Sequence, residues 1–294
     1  MKAFRLKLAR VALAMVLLGA SLPIFADQAN GWSLVSFRKM NAKDSPLKGQ
    51  GLAFNTTAGE VVFSGNTGLE RAALNYDSLG QNMNALKGLP GSANPSHIGC
   101  IDIRDNVLYA PVEDGARDPK YQHPLFAQYD PASLAYLKKA VQLNPGPDQD
   151  DGVPWVAADD RSLYTSKAYG VTVINVYDRQ SIWDLPYPQA PEPVKRVTLS
   201  REISKVQCAK VSGGLLYILS DDDEKWLRTV NLNTGEVTDL LKLSDAFQQI
   251  GESGEWEAEG VAFFPGLNDS TLHFTAVLRK RTTVQVYVFD YKKI

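Results

Sequence analysis

Few side chains in this 294-residue sequence have both the type and the setting for chemistry. His97 opens the apolar run His97-Ile98-Gly99-Cys100-Ile101-Asp102-Ile103, and Glu113-Asp114 closes the next one, Leu108-Tyr109-Ala110-Pro111-Val112. An imidazole titrates near neutrality and a neighbouring carboxylate can orient it, so His97 and Glu113 are a candidate acid and base pair for activating water. Carboxylates recur at Asp150-Asp151, at Asp221-Asp222-Asp223-Glu224 and at Glu257-Ala258-Glu259. If such acids converged they would repel unless a cation joined them, and Ca²⁺ accepts carboxylate and carbonyl oxygens in flexible geometry. Glu259, Glu257 and Asp151 are the candidate ligands. The other two histidines promise less: His273 reads as packed within a strand, and His123 lies beside Pro124 in a loop.

A repeat must position these residues. Val62-Phe63-Ser64, Leu108-Tyr109-Ala110, Leu163-Tyr164-Thr165, Leu216-Tyr217-Ile218 and Leu272-His273-Phe274 each follow a turn cluster and another β-rich run. A third strand follows each, ending in Asp or Asn at Asp77, Asp130, Asp178, Asn233 and Asp290. Fourth strands are expected over Ala135 to Leu143, Pro193 to Leu199 and Glu236 to Leu243. Short strands recurring at a period of roughly 40 to 55 residues are the signature of a β-propeller, whose blades cannot bury both faces alone. The count is five four-stranded antiparallel blades, or six if Gln81 to Ser96 or Gln180 to Ser204 holds another. The fifth copy has no room for an outer strand, whereas Ser33 to Met40 is an orphan alternating strand; as the outer strand of the last blade it would close the ring and hide an edge.

Residues 1 to 26 read as a secretory signal, with Lys2, Arg5, Lys7 and Arg10 ahead of the apolar run Val11 to Leu18 and Ile24-Phe25-Ala26 at the cut. Residues 27 to 294 then form one domain, secreted or periplasmic, with no membrane span. Cleavage leaves 27 basic against 33 acidic residues, which argues against a nucleic-acid partner. Cys100 and Cys208 occupy equivalent places in copies two and four. An oxidising compartment favours a disulfide between them, but equivalent positions on non-adjacent blades should be too far apart, so two buried free thiols are expected. Asn55-Thr56-Thr57 and Asn268-Asp269-Ser270 fit the glycosylation sequon.

Propeller geometry sorts the polar residues. Gln50, His97, Asp150, Asp151, Glu257 and Glu259 enter innermost strands on one face, the upper one. Glu113, Asp114, Asp221 to Glu224 and Arg279 leave second strands on that same face. The hairpins at Arg104-Asp105-Asn106, Asp159-Asp160-Arg161 and Ser212-Gly213-Gly214 fall on the lower face and read as turn chemistry. The strand opening Glu259-Gly260-Val261 resembles the motif that places a calcium-binding Glu in the six-bladed senescence-marker/gluconolactonase superfamily and its esterase-like relatives. That resemblance implies a Ca²⁺-dependent lactonase or esterase acting on a small ester or lactone at the channel mouth. The alternative is a non-catalytic propeller binding a protein or glycan. No Gly-x-Ser-x-Gly, P-loop, His-Glu-x-x-His or Cys-x-x-Cys occurs, which disfavours hydrolases and nucleotidases of those types.

Overall fold

The structure is a computed structural model that describes residues 31–40, 45–90, 95–114, 121–144, 146–263 and 271–294. The segment expected to be a secretory signal and the sequon at Asn268 lie outside these residues. Five small antiparallel sheets follow one another along the chain as the blades of a five-bladed β-propeller. Strand β1 (Trp32–Lys39) belongs to the last blade. Blade one is β2 (Gly51–Asn55), β3 (Glu60–Ser64), β4 (Leu69–Ala72) and β5 (Ser78–Asn82). Blade two is β6 (His97–Ile98) and β7 (Asp102–Arg104), both paired with β8 (Val107–Glu113), then β9 (Leu125–Tyr129) and β10 (Tyr136–Gln142). Blade three is β11 (Ala157–Ala158), β12 (Ser162–Thr165), β13 (Val171–Asp178) and β14 (Lys195–Ile203). Blade four is β15 (Val206–Ser212), β16 (Leu215–Ser220), β17 (Trp226–Asn231) and β18 (Val237–Lys242). Helix α1 (Leu243–Ile250) leads to β19 (Glu255–Phe263), β20 (Thr271–Arg279) and β21 (Val284–Lys293) of blade five.

Among the described residues the sheets number five, and those of Gln81 to Ser96 and Gln180 to Ser204 form no further blade. Strand β1 pairs antiparallel with β21 from Trp32↔Lys293 to Lys39↔Tyr287, so the leading segment completes the final sheet. Its inward residues Trp32 and Leu34 are buried while Val35 and Phe37 face out, the alternation of a sheet covered on one face. One strand assignment shifts. Leu74 to Asp77 is the turn after β4 and not the end of that strand, because Tyr76 sits at φ 66° and its amide closes a turn on Ala73.

The cysteine expectation is overturned. Cys100 and Cys208 form a disulfide across the axis, with Cα atoms 5.2 Å apart. Five inner strands leave almost no channel at this level. Cys100 donates its amide to Pro154 O at 2.8 Å and accepts from Val156 N at 3.1 Å, so the innermost strands of blades two and three hydrogen-bond directly. A Cβ on Gly51 would stand 2.7 Å from Cys100 Cα, so only glycine permits this approach. Non-adjacent blades two and four therefore touch at the waist, between the upper and the lower rim.

Candidate functional site

His97 and Glu113 are cross-strand partners in blade two, which places both side chains on one face of the upper rim. His97 Nδ1 lies 2.9 Å from Glu113 Oε2, and Nε2 lies 2.7 Å from Gln50 Oε1 on the loop entering blade one. The other Glu113 oxygen accepts from Val153 N at 2.7 Å, from blade three. The carboxylate is nearly buried while the imidazole is 29% exposed, so a fixed acid orients a ring that solvent and ligands can reach. Gly152 is required here: at φ 107° a Cβ would stand 2.3 Å from Glu113 Oε1. The predicted pairing of His97 with Glu113 is thus present in the geometry, and Gln50, Val153 and Gly152 complete it.

The expected calcium set separates into two groups. Asp151 binds the amides of Ala168 at 2.7 Å and Tyr169 at 2.8 Å. Burial holds its carboxyl above the usual range despite those amides. It lies with Glu113 and Asp114 around Tyr121, whose phenol is pushed up by burial and then by Glu113 and Asp151. Asp114 in turn holds His123 Nδ1 at 3.0 Å.

Glu257 and Glu259 form the second group, on blade five. A register irregularity in the β19–β20 pairing between Ala258 and Gly260 falls on Glu259, and such a bulge re-aims a side chain. Glu259 is buried and hydrogen-bonded to Glu257; burial first, then the charges of Glu257 and Asp221, raise its carboxyl well above the ordinary value. Glu257 is held by Arg279 Nε at 2.7 Å, and Asp221 by Ala258 N at 2.9 Å and Lys225 at 3.2 Å. Among the described residues no group of three or more His, Cys, Asp or Glu is disposed to hold a metal ion. The two glutamates are the part of the expected set that could share a cation; Asp151 is placed apart from them by its backbone partners.

The lower mouth was missed. The hairpin Arg104-Asp105-Asn106 and Ser212 of another, both assigned there to turn chemistry, border a cavity of about 460 Å³ whose lining also includes Asp102 and Lys210. The available signal was a charged residue two positions beyond each cysteine, facing the same way along its strand. Asn55, in the first sequon, is buried, and its Oδ1 accepts from Ala58 N at 3.3 Å, which is turn chemistry.

No protein-family profile matches the chain, and no characterised protein matches it in sequence. Among solved structures it is similar to a protein of unknown function from Bacteroides caccae (10% identity, 83% of this chain and 70% of that one, TM-score 0.46). It is also similar to the WD40 β-propeller domain of Doa1 (11% identity, 83% and 78%, TM-score 0.42). A chain of a mitotic checkpoint complex gives 9% identity over 97% and 98%, with TM-score 0.43. The ring of sheets establishes the fold by itself.

Proposed function

We propose that this chain is a secreted or periplasmic propeller whose upper rim binds a small ester or lactone at His97, Glu113 and Gln50 and hydrolyses it. The observation that carries the reading is the carboxylate–imidazole pair, anchored on the carboxylate side by Val153 and open on the ring side. Gln50, half-buried on a loop, leaves Nε2 when substrate enters, and a water takes its place. His97 accepts a proton from that water as the oxygen attacks the acyl carbon; Glu113 steadies the resulting imidazolium. The acyl C–O bond then breaks, and the leaving alkoxide takes the proton back from His97. No step uses a metal. Calcium enters the proposal only at the Glu257–Glu259 pair, where a divalent cation would displace the proton that Glu259 otherwise retains beside Glu257. The signal segment and the disulfide both support an oxidising compartment.

A second reading is that the rim binds a protein or glycan without chemistry, favoured by the Gln50 amide already occupying Nε2. A panel of aryl esters and lactones decides between them. Turnover by the wild-type chain that falls by about 10² or more in His97→Gln supports hydrolysis, the usual worth of a general base. No turnover on the whole panel, or equal turnover in the variant, removes it. Melting with Ca²⁺ and with EDTA tests the ion: a midpoint shift lost in Glu259→Gln places calcium there, and no shift excludes it.

A further inference from the structure

Below the disulfide the two strands it joins continue downward, and alternate residues keep facing the axis. The ladder therefore reads Cys100 with Cys208, then Asp102 with Lys210, and Arg104 and Ser212, two residues further on, both line the cavity. Lys210 Nζ donates to Ile101 O and, at 2.8 Å, to Asp102 Oδ1. Asp102 also accepts from the amides of Ile103 at 2.9 Å and Ala158 at 2.8 Å. The side chains are 6% and 13% exposed, so this ion pair forms the desolvated floor of the cavity. Such a pair is a poor way to gain stability, since removing two charges from water costs about what their attraction returns. Alanines Ala158 and Ala262 line the same cavity and keep it open rather than filling it.

The contents of the mouth define what would fit. Both cations lining it already have a carboxylate, Lys210 with Asp102 and Arg104 with Asp160, and Asp105 on the same wall is held by Arg179. A charged ligand would leave one of these partners uncompensated. Hydrogen-bonding groups remain on Asn106, Thr57 and Ser212, and two of the three ammonium donors of Lys210 have acceptors among the described residues. Half-buried Phe54 and Phe263 offer apolar surface on the same walls. Alternating hydroxyls, which both donate and accept, and a C–H face that packs on aromatic rings are the properties of a sugar. We propose that the lower mouth binds a neutral polyhydroxylated ligand of monosaccharide size, with the Lys210–Asp102 pair as its polar floor. The volume of about 460 Å³ lies in the ordinary range for a small-ligand pocket. None of His97, Glu113 and Gln50 lines this cavity, so the two sites can be tested separately.

Saturation-transfer NMR and calorimetry on the full chain test this, using glucose, galactose, mannose and N-acetylglucosamine, with glucuronate and glucose 6-phosphate as charged counterparts. Saturable binding of at least one neutral sugar is expected, with the charged counterparts weaker. Lys210→Met should weaken it at least about tenfold, the worth of a buried hydrogen bond to a charged group. Ser212→Trp, at an exposed hairpin position that does not threaten folding, should abolish it, and His97→Gln on the other mouth should leave it unchanged. No saturable binding by any neutral sugar, binding unaffected by Ser212→Trp, or tighter binding of the charged counterparts overturns the proposal.

Discussion

Glu259 shows how a single position can set the pH response of the molecule. Its folded carboxyl keeps its proton to higher pH than the unfolded one, because burial disfavours the charge and Glu257 and Asp221 add to that. The native state thus binds more protons than the unfolded state above the unfolded value near about 4.3, and stability from this group falls as pH rises through that window. Glu259→Gln keeps a donor toward Glu257 and cannot ionise. Urea midpoints at pH 5 and pH 8 should therefore decline less in the variant, by up to about 1.4 kcal/mol per pH unit for one proton. Parallel declines in variant and wild type would mean that Glu259 ionises in the folded chain as it does in water.

At the scale of elements, the decisive contact is the seam between β1, blade five and blade one. Ser36 donates to Asp290, His273 Nδ1 lies 2.6 Å from Asp290 Oδ1, and Tyr76 OH donates to the same oxygen at 3.2 Å. Burial works against the Asp290 charge, yet the hydrogen bonds from His273 and Ser36 outweigh it and hold the carboxyl below its usual range. The stability this supplies is present above the unfolded value near about 3.9 and is lost as pH falls through the folded one. Asp290→Asn should cost about 1–3 kcal/mol at pH 7 and less at pH 3, read from urea unfolding. An equal cost at both pH values would show that the charge does not matter. A chain beginning at residue 41 should aggregate or fail to fold, seen by size exclusion and circular dichroism, because β21 becomes an open edge and the Trp32 and Leu34 contacts are lost. A monomeric, cooperatively melting product would show that closure by β1 is dispensable.

For the molecule as a whole, the disulfide joins blades two and four across a separation of 108 residues. Restricting so long a loop in the unfolded chain makes the Cys100→Ala, Cys208→Ala pair of changes cost about 2–5 kcal/mol. Thiol titration should find no reactive sulfur in denaturant alone and two after reduction. Two reactive thiols without reductant would restore the free-cysteine expectation. Both cysteines are fully buried, so the native chain should resist reductants that act once it is unfolded.

The sequence by itself pointed to five blades, most of their strands and the closing role of the first one, because period-two patterning and turn residues are local properties repeated five times; the choice of five over six, the strand Ser78–Asn82 and the turn at Leu74 to Asp77 came from the tertiary structure. It also put Glu113 and Asp114 within reach of His97, since both ends of one blade's inner strands were visible; that Glu113 takes His97 and Asp114 takes His123 came from the structure. How close the blades come at the axis was not legible. That distance depends on how many sheets share the centre and how small their innermost residues are, a sum over the whole ring. The tertiary structure alone therefore decided the Cys100–Cys208 bond, the separation of Asp151 from Glu257 and Glu259, and the Lys210–Asp102 floor of the lower mouth.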